Sequence, residues 1–295
     1  MLSPTPMAFK TNLPAASCPA LPGFGVIAVS GPDAGKFLQA QLMNDVVALA
    51  PGHWHWTGWL TPKGRVIALF ALLRIDAESL WLLLPDVDAA GLATQLQRFV
   101  FRSKVQLEPL DDLHANGRFE APTMASGSTI AQVDGVFELD VGGDGGPRCL
   151  RIGPVDASDD EALAARWRGF DLQHGLPRLR DAQVETWTPQ QLSLDRLRAF
   201  SVKKGCYPGQ EIVARTHFLG KVKRGLMLVA GTEPFDVGAE VHAAGTPLGT
   251  VVSAAPGSEG QIGLAVVPLE RDAAAALTVN DTSVKEIPLQ EGLAR

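Results

Sequence analysis

The pattern of apolar residues in the chain changes after Gly225. Beyond this point short apolar runs are interrupted at regular intervals by Gly and Pro, as in LMLVAG, EVHAAG, LGTVVSAAPG and QIGLAVV. Runs of this length are too short for long helices, and their even spacing is typical of small all-β domains. We therefore expect residues 226–295 to form a small β-barrel or sandwich.

The residues before Gly225 alternate between strand and helix patterns. The strand-like runs are VIAVS, WHWTGWL, RVIALFALLRI, SLWLLLP and VQLEPL. The segments GPDAGKFLQAQLMNDV and DAAGLATQLQRFVFRSK carry helix signals, and TPKG at 61–64 has the composition of a type I turn. This alternation predicts an α+β fold in which helices pack on a mixed sheet.

A loop at residues 116–128 separates this first part from a second one. The runs TIAQV, VFELDV and RCLRIG then predict short antiparallel strands, with GGDGGP as a hairpin turn. Ser158 and Glu161 have the spacing of a capping box, which predicts a helix that ends near Gln173. The run IVA, at 212–214, predicts a return to strand.

The distribution of charge limits the classes of partner. The net charge of −6 argues against a protein that is coated with nucleic acid. Between Arg196 and Arg224, however, eight Lys and Arg residues accompany one acid, Glu211. This basic stretch is either a solvated face or a binding surface, and the residues alone leave both interpretations open.

The ends and the most apolar region of the chain bear on its location. The first 20 residues are rich in proline and lack the apolar centre of a signal peptide, so we expect a flexible arm. The most apolar stretch, residues 66–85, is interrupted by Arg74, Asp76 and Glu78 and cannot span a bilayer as one helix. We therefore expect a cytoplasmic protein without a membrane partner.

The chain has three cysteines, which are far apart and form no Cys-x-x-Cys pair. Neither a disulfide framework nor a self-contained zinc site is indicated. Cys206 stands out because it lies in VKKGCYPGQE, where Pro208-Gly209 favours a type II turn. Lys203 and Lys204 would favour its thiolate if they lie close in space. A reactive or metal-ligating thiol and an inert cysteine that fills a gap are both compatible with this sequence.

Two further patterns suggest binding sites. His53 and His55 alternate on one strand, which places both imidazoles on one face, as in some metal sites. No third ligand is evident nearby, so packing at an edge strand or an interface is favoured over a metal site. The segment GVIAVSGPDAG lacks both common phosphate-loop spacings, which argues against nucleotide binding there.

Residues 188–226 closely resemble the signature of the YgfZ family, whose K-G-C-Y-x-G-Q-E core is intact here. Looser resemblance covers most of the chain, including VSGPDAGKFLQAQLMNDV, LTPKGRVIA, FVFRSKV and FDLQHGLPRL. YgfZ proteins are folate-binding proteins related to the aminomethyltransferase (T-protein) of the glycine cleavage system. One departure is QQLSLD, where the family more often has an asparagine before Leu-Asp.

The resemblance implies three domains around a central channel, with a β-barrel at the C-terminus. It divides the chain into a folate-binding-type α+β domain at 20–115, interleaved with a second α+β domain at 116–225 that carries the signature, and the barrel at 226–295. It implies tetrahydrofolate or a derivative as cofactor, with a possible transient iron–sulfur cluster. The implied role is iron–sulfur cluster assembly or repair that supports tRNA-modifying enzymes, with folate and client or assembly proteins as partners.

The resemblance also implies site residues. Cys206 is the reactive group, and the resemblance places it at the tetrahydrofolate channel. Some relatives place tryptophans against folate, and the matching positions here are Trp167 and Phe24. The remaining implied folate-site residues are Lys203, Lys204, Gly205, Tyr207, Gly209, Gln210, Glu211 and Arg215.

Two other functions stay open at the level of sequence. A one-carbon or aminomethyl transferase like the T-protein would need no thiol, so the cysteine-containing signature argues against it. A tRNA-binding module is disfavoured by the acidic total and permitted by the basic stretch. Whether the protein turns over a substrate is not decided by the residues.

Overall fold

The computed structural model describes residues 20–154, 159–220 and 222–295. The helices are α1 (Ala34–Gln41), α2 (Ala89–Gln97), α3 (Glu161–Gln173) and α4 (Gln210–Phe218), with a 3₁₀ turn at Asp181–Gln183. The strands are β1 (Phe24–Ser30), β2 (His53–Leu60), β3 (Val66–Arg74), β4 (Ser79–Pro85), β5 (Gln106–Pro109), β6 (His114–Arg118), β7 (Ile130–Val133), β8 (Val136–Asp140), β9 (Cys149–Gly153), β10 (Arg224–Gly231), β11 (Glu240–Ala243), β12 (Thr246–Pro256), β13 (Gln261–Pro268), β14 (Leu277–Val279) and β15 (Thr282–Ile287).

The first sheet has five strands in the order β2-β3-β4-β1-β5, and all of its pairs are antiparallel, so the prediction of a mixed sheet was wrong. Helices α1 and α2 cover one face, where Leu38, Leu96 and Trp59 belong to one apolar cluster. The opposite face carries Trp54 and Trp56, which belong to a second cluster that extends into the rest of the molecule. Both faces of β2 are therefore buried, although β2 lies at the edge of the sheet.

The second sheet has four antiparallel strands in the order β6-β9-β8-β7, as the short apolar runs predicted. Helix α3 packs on β12 and β13 of the barrel, and its buried side chains include Leu172 and Trp167, whose ring lies against Gly117 of β6. These residues share one apolar cluster with Leu83 of the first sheet and Leu264 of the barrel. One continuous core therefore joins all three parts of the chain.

The C-terminal strands close into a six-stranded barrel in the order β10-β13-β12-β11-β14-β15. The barrel prediction is therefore confirmed, and so is the α+β class of the chain as a whole. The barrel has its own interior cluster, which includes Val229, Val251 and Phe235. Among the described residues, no helix combines the length and the apolar content needed to cross a bilayer.

Several local predictions need correction. The run IVA belongs to α4 rather than to a strand, since Gly209 in the left-handed conformation starts a helix with Glu211 in its first turn and Arg215 in its last. A three-residue apolar run carries too little periodicity to separate these outcomes. Helix α2 ends at Gln97, earlier than predicted.

Two predictions concern residues next to or within undescribed segments. The first turn of α3 is capped by Asp160, whose carboxylate accepts a hydrogen bond from the Leu163 amide, whereas Ser158 lies outside the described residues. The arm predicted at residues 1–19 also lies outside them.

The division of the chain into domains at 115/116 and 225/226 stays a prediction, and these positions fall inside β6 and β10.

The signature turn packs directly on the TPKG turn between β2 and β3. Gly209 has φ +77° and ψ 2°, and the Gln210 amide donates to the Tyr207 carbonyl at 3.2 Å, as in the predicted type II turn. A Cβ added to Gly209 would lie 2.6 Å from the Gly64 Cα and 2.6 Å from the Thr61 carbonyl oxygen. Glycine at 209 is therefore required both by the backbone conformation and by this close approach.

Lys204 ties the signature loop to the end of α1. It is only 6% exposed, and its ammonium donates to the carbonyl oxygens of Gln39 (2.6 Å), Leu42 (2.5 Å) and Asn44 (3.0 Å). A cation at this position also interacts favourably with the negative end of the helix dipole. Burial lowers the pKa of Lys204 to about 8, with Asp45 opposing the shift, so the ammonium form prevails at pH 7.

We predict that Lys204→Met lowers the free energy of unfolding by about 2 kcal/mol, because buried carbonyl oxygens lose their donor. Urea unfolding followed by circular dichroism measures this change. The matched control is Lys203→Met, which replaces an exposed neighbour and should change stability by less than about 0.5 kcal/mol. Equal effects of the two substitutions would contradict the assigned role of Lys204.

Candidate functional site

Phe24 and Trp167, which are 143 positions apart in the sequence, line one internal cavity. Phe24 starts β1 and Trp167 lies in the middle of α3. The cavity is narrow in this structure, and about 20 Å³ of it is open to a water molecule. Its other lining residues are mostly apolar, with three charged exceptions: Trp56, Ala71, Leu83, Pro85, Leu139, Val141, Arg148, Leu150, Asp171, Leu176 and Arg178.

A network of buried charges forms the polar wall of this cavity. Arg148 and Asp171 are each 1% exposed, and their side chains approach to 2.7 Å. Arg178 donates to the other oxygen of Asp171, at 2.6 Å from Nη2 and 2.9 Å from Nε. Arg178 also donates to Asp86 at 3.1 Å, and the half-exposed Arg180 pairs with Asp86 as well. The network joins the first sheet, α3 and the segment after α3.

Each oxygen of Asp171 faces an arginine. Oδ1 lies 2.7 Å from Arg148 Nη1 in a buried ion pair, and Oδ2 accepts from Arg178. Arg148 also directs its Nε to the Val141 carbonyl at 3.0 Å and Nη1 to the Trp167 carbonyl at 3.3 Å. A carboxylate oxygen has two lone pairs, so Oδ1 can accept one further hydrogen bond at the cavity wall.

The aromatic rings at the cavity are closely packed. The Arg148 guanidinium lies 4.1 Å from the Trp167 ring centroid and 4.1 Å from that of Phe170. Burial lowers the pKa of Arg148, and Asp171 opposes that shift. The Arg178 guanidinium lies 5.0 Å from the Phe24 ring centroid. Because the lining side chains are close together, a bicyclic ring can enter only if some of them move.

A smaller cavity, with about 10 Å³ open to a water molecule, adjoins this one. Phe24, Trp167 and Arg178 line both spaces. Asp86 and Arg168 supply further charges on the side of the smaller cavity. Because the two cavities share three lining residues, movement of these side chains would open the larger cavity toward the smaller one.

Cys206 is exposed on the loop that precedes α4, and it is not among the residues that line these two cavities. A Cβ on the neighbouring Gly205 would meet no atom within 4 Å, so there is open space beside the thiol. Lys203 is exposed, while the ammonium of Lys204 is held by the carbonyl oxygens at the end of α1. The second described cysteine, Cys149, is buried, and burial with help from Glu138 raises its pKa to about 12.

The other signature residues fall into two groups. Tyr207 and Gln210 shape the loop, since Tyr207 donates to the Ser201 carbonyl at 3.3 Å and Gln210 donates to the Lys204 carbonyl at 3.2 Å. Burial raises the pKa of Tyr207 to about 12, so its hydroxyl stays protonated at neutral pH. Glu211 and Arg215 are exposed on α4. The predicted site residues therefore lie in two places, one at the cavity and one at the signature loop.

The sequence analysis did not single out Asp86, Arg148, Asp171 and Arg178. Asp171 and Arg178 lie within FDLQHGLPRL, a stretch that was noted only for its family resemblance. An aspartate inside an amphipathic helix ordinarily faces solvent, and no local pattern marks this one as buried. Their meeting depends on contacts across 92 positions, as in the Arg178–Asp86 pair.

The two histidines of β2 are packed among neighbouring residues. His55 is buried, and burial lowers its pKa to about 4. His53 is half-buried, and its Nδ1 lies 3.1 Å from the Pro51 carbonyl oxygen. Within the described parts of the chain, no three His, Cys, Asp or Glu residues lie close enough together to hold a metal ion.

Comparison with known proteins relates the barrel and the whole chain to characterised families. Residues 223–288 match the family model of the CAF17 C-terminal beta-barrel domain. Over 92% of the chain, the structure resembles the aminomethyltransferase T of the glycine cleavage system from Bartonella henselae, with a TM-score of 0.72 and 16% identity, covering 86% of that protein. At this identity the likeness concerns the fold, and it confirms the expected T-protein-like architecture.

Curated relatives share the sequence over most of its length. An uncharacterized protein of Haemophilus influenzae is 32% identical over 227 residues, covering 74% of this chain and 76% of that protein. The tRNA-modifying protein YgfZ of Klebsiella pneumoniae is 29% identical, covering 72% and 71%. The mitochondrial iron-sulfur cluster assembly factor IBA57 homolog of Mycosarcoma maydis is 31% identical, covering 72% of this chain and 58% of that protein. With the intact signature and the shared fold, these matches show that the chain belongs to the YgfZ family.

Proposed function

We propose that this protein binds tetrahydrofolate or a derivative and acts in iron–sulfur cluster assembly or repair, in support of tRNA-modifying enzymes. The observation that carries the folate part is the cavity that Phe24, Trp167 and the Asp171 carboxylate line together. The maturation part is supported by the relatives, which are named as a tRNA-modifying protein and an iron-sulfur cluster assembly factor. Cys206 is the proposed reactive group.

The chemistry of the cavity matches that of a pterin. A pterin is a flat ring whose 2-amino-4-oxo edge carries adjacent N–H donors, and one of them can donate to Asp171 Oδ1, since Oδ2 already accepts twice from Arg178. Asp171 lies in the wall together with two aromatic rings that suit a flat ligand. The glutamate tail of folate is anionic, and the half-exposed Arg180 at the edge of the network provides a cation for it.

The exposed thiol suits a different step. A thiolate can ligate iron or accept a transferred group, and both reactions require access from solvent or from a partner. Cys206 has this access, whereas the buried Cys149 does not. Since Cys206 does not line the cavity, we propose that folate binding and thiol chemistry occupy separate positions in one protein.

The basic stretch gives less support to a tRNA-binding module. The Lys204 ammonium donates to internal carbonyl oxygens, Arg196 pairs with Glu291 at 2.8 Å, and Arg224 donates to the Leu248 carbonyl at 2.8 Å. Three of the cations therefore have partners inside the protein. The remaining charges support local binding better than a continuous contact with a nucleic acid backbone.

We predict that tetrahydrofolate binds the wild-type chain and that Trp167→Leu weakens binding at least tenfold, because the ligand loses an aromatic contact. Anaerobic isothermal titration calorimetry measures the dissociation constant. Phe24 is the half-buried aromatic residue of the same cavity wall, and Phe24→Leu should also weaken tetrahydrofolate binding.

The control for this titration is Cys206→Ala, which should bind tetrahydrofolate with the wild-type affinity because the thiol lies outside the cavity lining. Absence of binding to the wild-type chain would refute the folate assignment. Unchanged affinity in both Trp167→Leu and Phe24→Leu would place the ligand elsewhere.

We predict that Cys206→Ala abolishes complementation of a bacterial strain that lacks its own YgfZ relative. The readout is the amount of a nucleoside made by an iron–sulfur tRNA-modifying enzyme, measured by mass spectrometry. The matched control is Cys149→Ala, which removes a buried thiol and should retain complementation. Full rescue by Cys206→Ala would exclude the proposed role of the thiol.

A second candidate function is a folate-dependent aminomethyl or one-carbon transferase, which the fold likeness to aminomethyltransferase T supports. Incubation of the protein with an aminomethylated lipoyl carrier and tetrahydrofolate distinguishes it from a maturation factor. We expect no formation of methylenetetrahydrofolate above the rate without protein. Catalysed formation that persists in Cys206→Ala would favour the transferase.

A further inference from the structure

A solvent-open groove lies on the other side of the β2 tryptophans from the cavity. Trp56 lines the cavity and Trp54 lines the groove, and their ring centroids are 5.3 Å apart. The groove offers a ligand about 350 Å³, which is at the lower end of the usual size of small-molecule sites. Its lining combines the loop after α1, the start of β2 and the C-terminal arginine: Asn44, Asp45, Ala48, Leu49, Ala50, His53, Trp54, His55, Ser128, Arg198 and Arg295.

Two buried ring nitrogens in this lining lack partners. Trp54 is fully buried, and its Nε1 finds no acceptor among the described residues. His55 is 9% exposed, and its Nε2 is likewise buried without a partner. An indole N–H is a donor only, and a buried donor without an acceptor is unfavourable by about 1–3 kcal/mol. A ligand that brings acceptor oxygens into the groove would relieve this cost.

Arg198 supplies a free cation to the same groove. Its side chain makes no hydrogen bond or ion pair with any described residue, and the residue is exposed. Its backbone has φ +53°, which is uncommon for a residue other than glycine. Asn44 holds this conformation, since its Nδ2 donates to the Arg198 carbonyl at 2.7 Å and to the Trp56 carbonyl at 2.8 Å. The position of Arg198 is therefore fixed by a buried side chain that also lines the groove.

The other charges of the groove limit the ligand further. The Arg295 side chain is 8% exposed, and it lies 5.5 Å from the Trp54 ring centroid and donates to the Asp140 carbonyl at 3.0 Å. Asp45 is half-buried, and its Oδ1 accepts from Gln39 at 3.1 Å. A carboxylate in the wall disfavours long polyanions, so the charge distribution suits a small molecule with one oxyanion better than a nucleic acid.

We propose that this groove is a second binding site, which takes a small oxyanion-bearing ligand, either a phosphate monoester or a carboxylate, with Arg198 as its principal cation. The site is distinct from the folate cavity and does not depend on folate binding. The guanidinium offers planar, paired donors that match both kinds of oxyanion. The tryptophan pair of β2 separates the two sites by one side-chain layer.

Titration calorimetry of the full chain at low ionic strength tests the proposal with three probes: inorganic phosphate, AMP and benzoate. We expect at least one probe to bind with a dissociation constant below about 1 mM. Binding of phosphate or AMP identifies a phosphate site, whereas binding of benzoate alone identifies a carboxylate site. Arg198→Gln should weaken binding at least tenfold, and the matched control Arg102→Gln, an exposed arginine stacked on Phe101, should not.

A second measurement uses the wild-type chain and so does not depend on how the variants fold. The indole ¹H–¹⁵N signal of Trp54, assigned through Trp54→Phe, should shift when the probe binds, because Nε1 gains an acceptor. Trp167→Leu should leave this shift unchanged while it weakens tetrahydrofolate binding, which separates this site from the proposed function. The proposal fails if no probe binds below about 10 mM, if both arginine variants lose affinity equally, or if the Trp54 signal does not move.

Discussion

The buried ion pair between Asp171 and Arg148 determines how the parts of this protein meet. Neither side chain reaches solvent, so the pair is stable only while Arg178 and neighbouring carbonyl groups satisfy the remaining donors and acceptors. Because Arg178 continues to Asp86 at the end of the first sheet, the same contacts fix the sheet relative to α3. A charged network inside an apolar core therefore creates the cavity as well as its polar wall.

The signature loop depends on different contacts, and these leave its cysteine free. Lys204 binds the end of α1, Gly209 packs on the TPKG turn, and Tyr207 and Gln210 close the loop on itself. Four of the signature residues thus have structural roles. Three of them act through their side chains, and Gly209 is needed because it has none. The loop is held firmly at both sides of Cys206, which presents an exposed thiol on a rigid support.

The strand β2 connects the three places where chemistry is proposed. Its tryptophans separate the cavity from the groove, and the turn at its end supports the signature loop. The loop that lines the groove also contains Asn44, whose carbonyl oxygen accepts from Lys204. The cavity, the groove and the support of the thiol loop are therefore all built on β2 and the loop that precedes it.

The sequence by itself determined the barrel, the strand and helix order of the first half, the type II turn at Gly209 and the family signature, because each depends on neighbouring residues and their periodicity. It failed for α4, where three apolar residues carried too little pattern. Only the tertiary structure decided that Phe24 and Trp167 share a cavity with Asp171, that Lys204 turns away to α1, and that Trp54 borders a second groove. Those outcomes depend on which distant side chains meet in the core and compete for buried charges, and no local pattern encodes that.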